Sequence, residues 1–241
     1  MCSICKWKQY VYKSFMKKTF FIFIIFINFS NLFANEIKFE QILSKLKQPW
    51  SLSFIDEKNI LFTEKSGKLF HFNLNNKKKI EIRHNLSVLE VGQGGLLDVL
   101  YHNNEVYVSY SENRGNWKSS TTVAKGKFNI DNIKFENIFR AQPPIDSGYH
   151  FGSRLVIKDQ YLFITAGERG QGMIAQDATK HPGSIIRINL DGSVPNDNPK
   201  YKNRKKWLPE IFQIGVRNPQ GMALSPYDNK IYLSNHGAKG G

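Results

Sequence analysis

Four short segments join glycines to polar side chains of reactive type. In Tyr149-His-Phe-Gly-Ser-Arg154 an imidazole stands just before a strand-like run, and Ala166-Gly-Glu-Arg-Gly170 follows the run that would pair with it. A tight hairpin between the two runs predicts that His150 and Glu168 meet at one edge of a sheet. A carboxylate beside an imidazole orients the ring and favours its protonated form, which suits a general base that must keep a proton. A surface histidine and an exposed glutamate in two turns would read the same way in one dimension. Gly215-Val-Arg-Asn-Pro-Gln-Gly221 offers Arg217, whose fixed fork of donors suits a carboxylate or a developing oxyanion, with Asn218 and Gln220 as neutral donors. The plain alternative there is an Asn-Pro turn with the arginine bonded to a carbonyl. In Asn235-His-Gly-Ala-Lys-Gly-Gly241, successive carbonyls of a glycine-rich bend can face one cation, and calcium takes such oxygens. Val91-Gly-Gln-Gly-Gly95 lacks the glycine placement and the following helix of a dinucleotide fingerprint, and reads otherwise as a flexible turn.

Other chemistries lose ground. No Cys/His set stands at zinc spacing, and neither a Gly-x-Ser-x-Gly elbow nor a phosphate loop is present. The only cysteines, Cys2 and Cys5, precede anything that would hold their thiols in place.

The elements that must carry these residues are strands. Four stretches share one design, an alternating strand, a polar turn and a second strand closed by a hydroxyl residue. They run from Trp50–Phe54 to Ile60–Thr63, Leu97–Leu100 to Val106–Ser109, Arg154–Ile157 to Leu162–Thr165, and Gly221–Leu224 to Ile231–Ser234. The closing hydroxyls are 46, 56 and 69 residues apart, the growth being assigned to insertions at 115–122 and 195–207. A repeat of roughly 40–50 residues built of short strands predicts β-propeller blades, with a sandwich or barrel as the alternative. Four blades are expected in this chain. Its ending in Gly240-Gly241 just past a strand reads as an interruption.

The chain's net charge is +14, but five lysines precede position 35 and all 20 acidic residues follow it, so residues 35–241 carry 29 basic against 20 acidic groups, or +9. Those lysines and arginines are dispersed rather than gathered into a stripe interleaved with aromatics, which argues against a nucleic-acid binder. Near the N-terminus, Met16-Lys17-Lys18 precedes the apolar run from Phe20 to Ile27 and then Ala34. This is the order of a secretory signal, with cleavage after Ala34 and a start that reads best from Met16. The run falls short of the about 20 residues a permanent span needs; an uncleaved anchor is the alternative, since Leu32 fits poorly two places before the cut. Residues 35–241 are therefore expected to form a partial propeller in the periplasm or outside the cell.

Taken in order, the segments resemble the soluble pyrroloquinoline-quinone sugar dehydrogenases, in particular their aldose sugar dehydrogenase branch. The resemblance rests on Gln48-Pro-Trp-Ser-Leu-Ser-Phe54, Gly92-Gln-Gly-Gly-Leu-Leu-Asp98, Ser109-Tyr-Ser111, His150-Phe-Gly-Ser-Arg-Leu-Val156, Ala175-Gln-Asp177, Asp191-Gly-Ser-Val-Pro-Asn-Asp-Asn-Pro199, Arg217-Asn-Pro-Gln-Gly-Met-Ala223 and His236-Gly237. It implies a six-bladed, all-β propeller that oxidises aldose sugars at C1 by hydride transfer to pyrroloquinoline quinone, with calcium at the cofactor. It places the catalytic base on His150 and its acidic partner on Glu168. Gln93, Arg217 and Asn218 fall on cofactor-facing positions, with Arg217 also stabilising charge on the quinone oxygen. The backbone carbonyls of Gly237 and Ala238 fall on the calcium ligands. Ala238 departs from the usual proline there, and Lys239 replaces an arginine. The family continues past this point with about two more blades, so the 241 residues alone are expected neither to bind cofactor tightly nor to turn over sugar. A calcium-dependent propeller lactonase and a non-catalytic carbohydrate- or protein-binding propeller are the competing readings. Neither the sugar nor the electron acceptor is legible.

Overall fold

The computed structural model describes residues 37–199 and 207–237. The chain falls into two units, Met1–Ile42 and Leu43–Gly241. The described part of the first, residues 37–42, forms no strand or helix, and the signal-like segment lies outside the described residues. All that follows concerns the second unit.

Its strands form consecutive up-and-down sheets. β1 (Pro49–Phe54), β2 (Asn59–Glu64), β3 (Lys68–Asn73) and β4 (Lys79–His84) pair antiparallel in chain order. β5 (Leu96–His102), β6 (Glu105–Asn113) and β7 (Ser119–Lys127) open the second sheet. β8 (Asn132–Ile133) crosses back to lie parallel to β4 before β9 (Glu136–Arg140) completes the second sheet beside β7. β10 (Gly152–Lys158), β11 (Tyr161–Ala166), β12 (Ser184–Asn189) and β13 (Ile211–Ile214) make the third, and β14 (Gly221–Leu224) and β15 (Ile231–Ser234) a two-stranded fourth. β1, β5, β10 and β14 are the first strands of their sheets and neighbour one another in that order. The described residues form an incomplete β-propeller, three full blades and two strands of a fourth, where the repeats predict about four. Half of the expected insertion at 115–122 is strand. Only residues 115–118 turn, and Ser119–Thr122 are buried in β7, their hydroxyls satisfied by partners such as the Phe151 carbonyl and the Glu112 carboxylate. A polar run reads as a loop until its partners are known.

Alternation along each strand explains why the blades stack. Leu61 and Leu69 face the second blade and pack with Leu96, Val106 and Val108, while Phe62 and Phe70 face the other way. Leu162 and Ile164 pack back onto Tyr107 and Val123 of the second blade, and Phe163 between them faces forward onto Met222 of the fourth. Each blade thus needs a neighbour on both faces to remove its apolar side chains from water.

The closing hydroxyls have a repeated task. Thr63 Oγ1 donates to the Leu97 carbonyl (2.6 Å) and lies 3.3 Å from the Ser51 amide that donates to it. Ser109 Oγ donates to Ser153 (2.5 Å) and accepts from Asp98 (3.0 Å). Thr165 Oγ1 donates to Pro219 (2.7 Å) and accepts from Arg154 (2.8 Å). Every one of the three sits at an irregularity between the first and second strands of its blade, where the ladder leaves an amide unpaired, and ties that blade to the first strand of the next or, for Thr165, to the segment just ahead of it.

Candidate active site

In an up-and-down blade the residues before the first strand and those after the second lie at the same edge. The predicted site residues occupy those positions: Gln93 ahead of β5, His150 ahead of β10, Glu168 after β11, Arg217 and Asn218 ahead of β14, and Gly237 after β15. Topology alone therefore gathers them at one rim. The expectation that one hairpin joins His150 and Glu168 holds, since Gly152 pairs with Ala166 across β10 and β11.

His150 Nδ1 is 2.5 Å from Glu168 Oε1, and the two side chains are only 12% and 4% exposed. The other carboxylate oxygen accepts the Gly172 amide at 2.9 Å, which fixes the plane of the group. With Nδ1 so engaged, the ring's second nitrogen, Nε2, is left without a hydrogen bond among the described residues. An ionised Glu168 accepting Nδ1–H leaves the Nε2 lone pair as the basic site. Arg217 Nε lies 4.0 Å from the same Glu168 oxygen, and its side chain is 36% exposed. Imidazole, carboxylate and guanidinium thus form one group rather than three separate turn residues.

The backbone around His150 is fixed from several sides. Its φ is +50, a left-handed conformation that a side chain adopts at a cost. Its amide donates to Gln93 Oε1 at 2.9 Å, and its carbonyl accepts the Arg169 amide at 3.3 Å. A Cβ on Gly167 would collide with that same carbonyl, so this glycine permits the approach. Segment 91–95, for which a flexible turn stands as the alternative in the sequence, forms a packed seat. Gln93 donates its amide to the Gly148 carbonyl at 2.7 Å, and a Cβ on Gly92 (φ +55) would strike the backbone of Gly148.

Asn218 is 2% exposed. Its Oδ1 accepts the Gly152 amide at 3.1 Å and its Nδ2 lies 3.5 Å from Gln93 Oε1, so it joins the loop ahead of β14 to those ahead of β5 and β10. Asn235 was named in the sequence only as the head of a glycine-rich bend. Its Oδ1 accepts the amides of both Arg217 (3.1 Å) and Asn218 (3.0 Å), orienting that dipeptide. The linear signal for it is slight, an asparagine right after a closing hydroxyl. Arg169 was also passed over, and the structure buries it beneath His150.

A flat quinone bearing carboxylates asks for cationic and amide donors beside a base, and Arg217 with the Gln93 amide group next to His150 fits that demand. Calcium fits less well. The His236 and Gly237 carbonyls lie 3.3 and 3.5 Å from Arg217 Nη1, facing a cation already, and Ala238 lies outside the described residues. Among the described residues no three His, Cys, Asp or Glu side chains converge as a metal group. These residues alone do not supply the six to eight oxygens calcium takes.

Residues 46–241 match the family described as Glucose / Sorbosone dehydrogenase. The chain is 37% identical over 215 residues to aldose sugar dehydrogenase YliI of Escherichia coli (strain K12), across 85% of this chain and 58% of that protein. It is 28% identical over 233 residues to quinoprotein glucose dehydrogenase B of Acinetobacter calcoaceticus, across 81% of this chain and 47% of that protein. The crystal structure of the soluble aldose sugar dehydrogenase from Escherichia coli in its apo form superposes with a TM-score of 0.77 at 36% identity, covering 82% of this chain and 60% of that one. The chain thus spans about half to three fifths of the length of these relatives.

Proposed function

The chain belongs to the glucose/sorbosone dehydrogenase family, and from that premise we propose that it carries the proton-transfer half of an aldose-oxidising site. The observation that supports this reading is the 2.5 Å contact of His150 Nδ1 with the buried Glu168 carboxylate, with Gln93 and Arg217 alongside. His150 Nε2 removes the proton of the sugar's C1 hydroxyl as the C1 hydride leaves, and the sugar becomes a lactone. Glu168 holds the ring in the required tautomer and stabilises the imidazolium that results. Arg217 presents its guanidinium where negative charge develops on the acceptor. Pyrroloquinoline quinone, when bound, supplies the hydride acceptor; the name of the Acinetobacter relative as a quinoprotein supports that choice. No step here is derived through calcium, which the resemblance implies at Gly237 and Ala238.

The activity is proposed for a protein of the relatives' length. The 241 residues, with blade four two-stranded, are proposed to hold the base and its partners without sustaining turnover. Export with cleavage after Ala34 is proposed from the apolar run Phe20 to Ile27; an exported chain beginning at Asn35 supports it, and a chain retained in the cytoplasm refutes it. No helix among the described residues is long and apolar enough to cross a membrane.

The test is dye reduction by aldose with added quinone, in a protein extended to the relatives' length. Wild type should reduce the dye, and His150→Gln should lose on the order of 10²–10⁴ in rate. A His150→Gln protein of undiminished rate would sink the assignment.

A further inference from the structure

The imidazole of His150 is held at the rim by a short loop, residues 147–151, which contains no regular structure apart from its link to β10. Something must keep a left-handed histidine in place there, because such a conformation persists only where its surroundings over-determine it. Gln93 and Gly167 account for the amide and the carbonyl of His150 itself. The carbonyls of the flanking residues point to one further side chain.

Arg169 is 2% exposed, and its guanidinium donates to three backbone carbonyls and one hydroxyl. Nε donates to the Tyr149 carbonyl at 2.9 Å and Nη2 to the Ser147 carbonyl. Nη1 donates to the Ser119 carbonyl at 2.8 Å and Nη2 also to Ser119 Oγ at 3.1 Å. Its plane lies over the Phe151 ring, 3.6 Å from the centroid. The residues it grips, Ser147, Tyr149 and Phe151, bracket His150 on both sides. Ser119 is the first residue of β7 and belongs to the second blade, so the loop is anchored to that blade as well as to the third. Only a rigid, planar, multiply donating group can satisfy these divergent acceptors while stacking on an aromatic face.

A full charge buried against neutral carbonyls is costly unless an anion lies near. Burial pushes the Arg169 guanidinium down to about 10, and the neighbouring Glu168 carboxylate acts in the opposite sense.

We propose that Arg169 is the positioning residue of the site: its guanidinium sets the 147–151 loop, and thereby the imidazole of His150, against Glu168. The proposal rests on the reading of His150 as the base, but its geometric content does not depend on catalysis.

The experiment uses the full chain with its six histidines isotope-labelled. In wild type a downfield Nδ1–H resonance, absent from His150→Gln and Glu168→Gln, reports the short contact. In Arg169→Met that resonance should broaden or vanish while the signals of the other five histidines persist. Arg169→Lys, which keeps charge and length but not the fork, should behave like Arg169→Met and guards against a variant that fails to fold. In a protein of the relatives' length, kcat should fall by about 10²-fold with KM changed less than about threefold, the cost of a base displaced by an ångström. An unshifted resonance in both Arg169 variants overturns the proposal and leaves the dehydrogenase reading intact. A resonance lost in Arg169→Met, with no dye reduction by wild type under any quinone supply, upholds the positioning role and removes the dehydrogenase reading.

Discussion

At the scale of the residue, the informative feature is how much of the site is devoted to holding one imidazole. Glu168 is the nearest such contact, and its role divides into a hydrogen bond and a charge. Glu168→Gln keeps an oxygen acceptor within reach of Nδ1 but removes the negative charge that, in the proposed mechanism, stabilises the imidazolium formed in the transition state. We expect kcat to fall by roughly 10²-fold with little change in KM, as for a group that acts mainly in the transition state. Steady-state dye reduction at saturating sugar measures this. An equal loss in kcat/KM and in thermal stability would instead mark Glu168 as a structural partner of the Gly172 amide.

At the scale of the element, the stitching hydroxyls decide whether neighbouring blades keep their register. Thr165→Val preserves shape and β-branching while leaving the Pro219 carbonyl and the Arg154 amide without their partner. Leaving buried polar groups unsatisfied costs about 1–3 kcal/mol each, so we expect a loss in that range by denaturant melting, with Thr165→Ser close to wild type. Because Pro219 directly follows Asn218, the same substitution should disturb the loop that carries Arg217, whereas Thr63→Val, two blades away, should cost similar stability and leave the site intact. Equal effects of Thr165→Val and Thr165→Ser would show that these hydroxyls contribute nothing. The hydroxyls were visible in the sequence as a recurrence, and only their carbonyl partners revealed what they do.

At the scale of the whole molecule, one ion pair between a half-buried arginine and a buried carboxylate joins all four blades. Arg154 of β10 donates from Nη1 to Asp98 of β5 (2.7 Å) and to Ser51 of β1 (3.3 Å), and from Nε to the Gln220 carbonyl ahead of β14 (3.0 Å). Its guanidinium also lies over the Trp50 ring. Asp98 further accepts the Ser51 hydroxyl and the amides of Val99 and Leu155. Burial raises the Asp98 carboxyl above its ordinary range, and Arg154 is the largest opposing influence. A raised carboxyl binds its proton more tightly in the native state than in the unfolded chain, so this group's contribution is fully present in acid and lost as pH rises through the native value. Arg154→Met raises that value further. Its deficit relative to wild type should therefore be small near pH 4 and grow with pH, reaching about 3–5 kcal/mol at neutrality as an unpaired buried carboxylate remains. Denaturant midpoints at several pH values test the sign; a deficit independent of pH would show that the pair contributes packing alone.

Much of this was legible in one dimension. Alternation along the strands and the recurring hydroxyls specified sheets and blades, because strand periodicity is a local property and each blade is a local meander. His150 and Glu168 could be paired in advance because they bracket a single hairpin, and the glycine-rich segments marked where backbones approach closely. What lies between blades was not legible. The seat made by residues 91–95, the clasp of Asn235 on Arg217 and Asn218, the burial of Arg169 and the Asp98–Arg154 junction join residues separated by up to 125 positions, as Gln93 and Asn218 are. Whether a polar side chain is a solvated turn residue or a buried anchor depends on which acceptors the neighbouring blade presents, and that is decided only when the blades stack.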